Sequence, residues 1–125
     1  MTTLLLVDDQ PSIRRGLRMR LGLEPELRVV GEADSGEMAV ALATQLRPDV
    51  VVMDVEMQPM DGIAATRAVR EVCPECAVVV LTLHDDNITR ARAAAAGAAA
   101  FVAKQDKDEA LLSAIRSAAH HSTKT

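Results

Sequence analysis

The segment Val50-Val51-Val52-Met53 is the most restrictive stretch of this chain, an unbroken apolar run bounded by Asp49 and Asp54. Successive side chains of a strand point to opposite faces, so such a run needs cover on both faces, the condition of a strand inside a parallel sheet. Ala77 to Leu81 makes the same demand, and Leu4 to Val7 makes it over a shorter span. Leu27 to Glu32 and Ala99 to Ala103 complete the set of expected strands.

Helical segments fill every interval between them. Pro11 suits a first helical position, and Ile13, Leu17 and Leu21 recur as one buried stripe. Asp34 or Ser35 caps the second helix, with Glu37 placed for a capping box, Met38, Leu42 and Leu46 as the apolar stripe, and Pro48 at the end. The third runs from Asp61-Gly62 through Ile63, Val69 and Val72 and stops near Pro74. A fourth, rich in Ala and Arg, opens at Asp85 or Asp86 and closes at Gly97. The last combines a capping-box spacing, Asp106 with Glu109, with inward-facing Leu111, Leu112, Ile115 and Ala119. Strict alternation with short connections predicts right-handed crossovers and parallel strands. The fold class is therefore α/β, an open doubly wound sheet with helices on both faces. The 125 residues suffice for one core. Residues 1–120 read as a single domain, and 121–125 as a frayed tail or the start of a linker to an absent output domain.

With Phe101 as the one aromatic residue, the core has to be built from Val, Leu, Ile, Met and Ala. A net charge of −4 argues against a free-standing nucleic-acid binder, which needs a basic face. The longest apolar run, Ala93 to Ala103, lies between Arg92 and Lys104 and falls short of the ~20 residues of a membrane span. The start of the chain lacks the charged region of a signal peptide, so a cytoplasmic location is expected. Cys73 and Cys76 form a C-P-E-C spacing. It reads either as a redox dithiol or half a zinc site, or as two reduced thiols beside a helix end. The second is expected, because no further Cys/His pair completes a zinc site and the pair follows a helix instead of opening one.

Ligands of doubly wound sheets bind at the carboxyl ends of the strands. Here those ends carry Asp8-Asp9, Asp54, Thr82 and Lys104. Two carboxylates ~4 Å apart repel by roughly 4 kcal/mol at an effective dielectric of about 20. Gathered acids therefore require protons or cations. Lys104 supplies one positive charge, and an oxygen-seeking dication, Mg2+, fits the remainder. A metal with open positions beside a carboxylate invites a phosphoryl group, with Asp54 attacking in line and Thr82 donating to the product. Each residue has a plain reading alone: a helix cap for Asp8-Asp9, a strand end for Thr82, a solvated charge for Lys104. Their conjunction on one sheet edge favours the functional reading.

The ordered set L-L-L-V-D-D, M-D-V-E-M, M-D-G, L-T and A-F-V-A-K resembles the receiver domain of bacterial two-component response regulators over nearly the whole chain. L-T-L-H-D-D and Lys104-Gln105-Asp106 are similar to the NarL/FixJ type, whose outputs carry a LuxR-type helix-turn-helix. The resemblance implies a flavodoxin-like sheet of order 2-1-3-4-5. It implies that Asp54 is the phosphoacceptor, and that Asp9 and Asp54 bind Mg2+ directly, Asp8 directly or through water, with the backbone carbonyl of Glu56 as a further ligand. Lys104 and Thr82 contact the phosphoryl oxygens, and Thr82 and Phe101 form the switch. It further implies a signalling domain, not an enzyme. A histidine kinase donates the phosphoryl group, and the helix 4/strand 5/helix 5 face changes to control an output, transcription. Homodimerisation follows phosphorylation. No membrane is contacted, and DNA is touched only through an absent output domain.

Several positions depart from the family pattern. Gln58 stands where Pro is usual, which alters the loop after Asp54. Gln105 replaces a cis proline; a non-proline cis bond costs ~3 kcal/mol, so this peptide is expected trans with Lys104 aimed differently. Leu83 replaces a small residue and narrows access, and Phe101 replaces the commoner Tyr. Two other readings stay open: a phosphatase of the haloacid-dehalogenase type, to whose D-x-D signature Asp54-Val55-Glu56 is faintly similar, and an atypical receiver acting as a phosphorylation-independent interaction module. Arg14, Arg15 and Arg18 form either a kinase-docking face or a solvated one. Glu56 and His84 flank the site by spacing and are placed to tune self-dephosphorylation, though His84 reads equally as an idle surface residue. His120-His121 reads as a metal pair or as nothing.

Overall fold

A computed structural model describes residues 1–122, with the side chains of residues 106, 107 and 120–122 outside the description. Strands β1 (Thr2–Val7), β2 (Leu27–Ala33), β3 (Val50–Asp54), β4 (Ala77–Thr82) and β5 (Ala100–Ala103) alternate with helices α1 (Pro11–Leu21), α2 (Gly36–Leu46), α3 (Gly62–Val72), α4 (Asn87–Ala95) and α5 (Lys107–Ser122). The strands are parallel, in the order β2-β1-β3-β4-β5. This is the doubly wound sheet expected from the alternation.

The apolar run of β3 divides between two cores. Val50 and Val52 join Leu4, Leu6, Val79 and Leu81 against α1 (Leu17, Leu21) and α5 (Leu111, Leu112, Ile115). Val51 and Met53 join Leu5, Val7, Val78 and Val80 against Ala39 and Ala43 of α2, Ala65 and Val69 of α3, and Ala93 of α4. Period-two alternation along a strand covered on both faces therefore explains why every residue of β3 is buried.

Helix α2 corrects the expected stripe. Met38 and Leu46 are exposed and Leu42 packs only partly buried against the core, while Ala39 and Ala43 are the fully buried residues that face the sheet and Gly36 is buried against Met60. Small residues let the helix axis approach the sheet closely, so the larger apolar side chains of α2 lie at the rim of the interface. Ser35 is the cap, accepting from the Met38 N–H at 3.1 Å, which leaves Glu37 one residue short of the box position. Asp86, not Asp85, caps α4 through the Thr89 N–H. A single 3-10 turn, Lys104–Asp106, leads into α5. His120 and His121, considered above as a metal pair, have side chains outside the described residues.

The cysteines are also corrected. Cys73 and Cys76 are joined by a disulfide, with both residues fully buried. The turn between α3 and β4 explains the pairing. The Cys76 N–H donates to the Cys73 carbonyl at 3.0 Å, and Arg70 donates to the carbonyls of Pro74 and Cys76. The Cα atoms are thereby held 5.4 Å apart. Closing so short a loop restricts the unfolded chain by about 2 kcal/mol in the chain-entropy account. Reduction with dithiothreitol should lower the unfolding free energy in urea by that amount, and an unmoved midpoint would show the link to be energetically silent.

Candidate functional site

Strand register builds the site. Val7 of β1 lies beside Met53 of β3, Asp54 beside Leu81 of β4, and Thr82 beside Ala103 of β5. One residue beyond each of these rows come Asp8 and Lys104. Asp8 is thus level with Asp54, Thr82 stands one residue further along and Lys104 two, so all four share one sheet edge on neighbouring strands about 4.8 Å apart. The order β2-β1-β3 sends the chain to opposite faces of the sheet after β1 and after β3, which opens the crevice where Asp8, Asp9 and Asp54 gather.

The loop after β3 folds back under constraint. The Val55 N–H reaches the Leu81 carbonyl at 2.9 Å, the Gly62 N–H reaches the Val55 carbonyl at 3.0 Å, and Met57 is buried as an anchor. Asp61 caps α3 by accepting from the Ala64 N–H at 2.8 Å. Gly62 follows because a Cβ there would lie 2.0 Å from the Asp54 carbonyl oxygen. The D-G pair of the sequence is therefore one cap and one close crossing of backbones.

Asp54 is 2% exposed. Its Oδ1 receives the Lys104 ammonium at 2.6 Å and the Glu56 N–H at 3.1 Å. Burial raises its pKa to about 6, against the lowering effect of Lys104 and with the Asp8 charge adding to the rise. Asp8 is also buried, and burial raises its pKa as well. Its Oδ1 accepts from the Gln10 N–H at 2.9 Å, but its Oδ2 is buried with no hydrogen-bond partner. Asp9 is exposed at the mouth. Oxygens of Asp8, Asp9 and Asp54 lie within 4.8 Å of one another. A buried, unpartnered carboxylate oxygen in an all-oxygen cluster is the donor set of a hard dication such as Mg2+.

The sequence placed Glu56 beside the site by spacing, but not the contacts its carboxylate makes there. The carboxylate accepts from Thr82 Oγ1 at 2.7 Å and from the Leu83 N–H at 3.1 Å, and it pairs with Lys104 Nζ at 3.1 Å. Burial alone would raise its pKa, but the Thr82, Leu83 and Lys104 contacts together lower it. The available signal was Met57, whose burial turns the loop back over the edge and brings Glu56 with it. The aim of Lys104 also differs from expectation. Among the described residues the one cis peptide precedes Pro59, so the Lys104–Gln105 peptide is trans, yet Lys104 reaches Asp54. A 3-10 turn with a trans peptide after Lys104, not a cis bond, follows β5 here. Leu83 is 60% exposed and does not cover the acids; it lines, with Ile13, Leu17, Leu81, Lys104 and Gln105, a groove of about 280 Å3 beside the site. Phe101 is half-buried beneath the Arg90 guanidinium, 4.5 Å from the ring centre, and Asp85 tethers Arg90 at 2.8 Å. The exposed His84 donates its backbone N–H to Thr82 Oγ1 at 3.0 Å. Arg14 and Arg18 are both paired with Glu32.

The sequence profile of the family described as "Response regulator receiver domain" matches residues 4–116. This chain belongs to that family. The receiver is 40% identical over 116 residues to the response regulator GacA of Pseudomonas aeruginosa, covering 93% of this chain and 54% of that protein. It is 33% identical over 117 residues to the nitrate/nitrite response regulator NarL of Escherichia coli, covering 94% and 54%. Among solved structures, a LuxR-family response regulator from Aurantimonas sp. SI85-9A1 superposes with a TM-score of 0.92 at 31% identity, covering 97% of this receiver and 86% of that chain. The expected NarL/LuxR-type kinship stands. The receiver spans about half the length of the curated relatives it matches. Receivers of two-component response regulators are generally non-enzymatic signalling domains that bind Mg2+ at an acidic pocket and interact with histidine kinases and phosphatases. Many belong to transcription regulators. No helix among the described residues is long and apolar enough to cross a membrane.

Proposed function

We propose that this receiver takes a phosphoryl group from a histidine kinase onto Asp54, with Mg2+ held by Asp8, Asp9, Asp54 and the backbone carbonyl of Glu56. The observation that carries this reading is the buried, unpartnered Asp8 Oδ2 next to an Asp54 engaged by Lys104. The contacts on Asp54 fall on Oδ1, so Oδ2 is the attacking oxygen. It forms a bond to phosphorus as the phosphorus–nitrogen bond of a phosphohistidine breaks, and the imidazole keeps the electron pair and takes up a proton. Bound Mg2+ supplies charge neutralisation to the transferring oxygens. Lys104 follows the new charge, Thr82 donates its hydroxyl to it, and Phe101 responds to the vacated space. The α4/β5/α5 face then shifts between pre-existing forms.

Residues 1–120 constitute the phosphoacceptor unit in this reading, and the domain is cytoplasmic and dimerises when phosphorylated. Control of transcription belongs to a separate output domain on the same reading, since a net charge of −4 disfavours binding to a phosphate backbone. The test is incubation with acetyl phosphate and Mg2+, read by intact mass. One added phosphoryl group is expected, and an unchanged mass would favour the phosphorylation-independent interaction module instead.

Mg2+ affinity should depend on pH. Asp54, with its pKa raised to about 6, must lose its proton to bind a cation. Affinity is therefore full above that value and falls as pH drops through it. The dissociation constant at pH 5 should be about tenfold weaker than at pH 7.5. The chain has no Trp or Tyr, so amide chemical shifts are the suitable readout. Equal affinity at both pH values would place the metal elsewhere.

A further inference from the structure

The two side chains assigned above to a phosphoryl anion, Thr82 and Lys104, are already engaged. Thr82 Oγ1, Lys104 Nζ and the Leu83 N–H all converge on one carboxylate, that of Glu56, at 2.7, 3.1 and 3.1 Å. Thr82 is fully buried, so its hydroxyl has few other acceptors to turn to. Glu56 is itself only partly exposed, at 26% of its side-chain area, and stays in reach because the Met57 anchor and the Val55–Leu81 hydrogen bond hold the loop against β4. A carboxylate offers two oxygens and a negative charge to hydroxyl, ammonium and amide donors. An equatorial face of a phosphoryl group offers the same donors the same chemistry.

We propose that the Glu56 carboxylate is an internal stand-in for the phosphoryl group, occupying Thr82, Lys104 and Leu83 in the resting domain and holding Thr82 in place until phosphorylation displaces it. The inference rests on the phosphoacceptor reading and adds a threshold to it. Glu56 is a positioning residue: it acts through Thr82 and Lys104, not on the reacting atoms. Two anions cannot share one set of donors, so Glu56 must swing out when Asp54 is modified. Phosphoryl binding therefore carries the cost of that displacement. The fraction of molecules with Glu56 already out sets the apparent affinity for a phosphoryl mimic. Mg2+ is not subject to the same tax, since Glu56 is assigned to the metal through its backbone carbonyl, which a side-chain substitution retains.

The test is titration of the full chain with beryllium fluoride at saturating Mg2+, followed by amide chemical shifts, for wild type, Glu56→Ala, Glu56→Gln and Asp34→Asn. Asp34 lies just beyond β2 on the same sheet edge, so its variant removes a charge without touching Thr82 or Lys104. Glu56→Ala should bind the mimic on the order of tenfold more tightly than wild type, because the competent fraction rises. Glu56→Gln, which keeps acceptor atoms but loses the charge, should fall between them. The free Leu83 amide of Glu56→Ala should already be displaced from its wild-type position. Binding by Glu56→Ala but not by wild type would support the inference in its strongest form. Equal binding by wild type and Glu56→Ala, or an equal gain in Asp34→Asn, would overturn it while leaving the phosphoacceptor reading intact. Absence of binding in every variant would overturn both.

Discussion

Asp54→Asn should take up no phosphoryl group from acetyl phosphate and no beryllium fluoride, while remaining folded and more stable than wild type in the absence of Mg2+. The loss is chemical. An amide has no carboxylate oxygen with which to attack phosphorus, and it removes a charged ligand from the Asp8, Asp9, Asp54 cluster. The gain in stability follows from linkage. Asp54 is pushed up to about 6, above the unfolded value of 3.8, so the native state binds its proton more tightly than the unfolded state does. Stability is then highest at low pH and falls as pH rises through the window between those values. An uncharged isostere escapes that fall, although it gives up the Lys104 contact at 2.6 Å. Burial outweighs Lys104 in the shift of Asp54, so the net gain at pH 7.5 should be about 1 kcal/mol. Urea denaturation at pH 7.5 and at pH 4 measures it. The gap should close at pH 4, where native Asp54 already holds its proton. A variant less stable than wild type at both pH values would mean that the Lys104 ion pair outweighs the burial of the acid.

How far the sequence alone carries this molecule depends on the length scale of each signal. The sheet was legible because Val50 to Met53 and Ala77 to Leu81 satisfy a two-residue period with apolar groups on both faces, and nothing else accommodates them. The site edge was legible because strands in a parallel sheet end together, so Asp8, Asp54, Thr82 and Lys104 could be aligned from their positions after apolar runs. Helix α2 was misjudged because a stripe is sought among large apolar side chains, whereas a close helix-on-sheet contact selects Ala39 and Ala43 and leaves Met38 outside. The Cys73–Cys76 link depends on a turn closed by Arg70, six residues from the second cysteine in sequence and without any periodic signature. Glu56 could be placed beside the site by spacing, but for a different reason its partners could not be read. Its contacts with Thr82 and Lys104 cross from one loop to two other strands, and only the three-dimensional path of the loop after β3 decides them.

That loop path depends on a position with no side chain, and Gly62→Ala should be among the most damaging conservative substitutions in the chain. An ideal Cβ at Gly62 would lie 2.0 Å from the Asp54 carbonyl oxygen, 2.7 Å from its carbon and 2.7 Å from the Val55 Cα. All three are backbone atoms, so no rotamer change relieves the contact. Either α3 moves away from β3, or the Asp54–Val55 peptide shifts. The first breaks the 3.0 Å bond from the Gly62 N–H to the Val55 carbonyl and disturbs the Asp61 cap; the second displaces Asp54 from Lys104 and Asp8. Overpacking of this kind costs about 3 kcal/mol. For a domain of this size the melting temperature should fall by roughly 10 °C. Mg2+ binding should weaken as well, since the acids no longer converge. Gly16→Ala is the informative control. Gly16 lies in α1 with open space around its Cα, so adding a methyl there should raise stability by about 0.5–1 kcal/mol through helix propensity alone. Thermal unfolding followed by circular dichroism separates the two, and a Gly62→Ala protein melting close to wild type would show that the crossing beneath Asp54 is not what holds the acid in place.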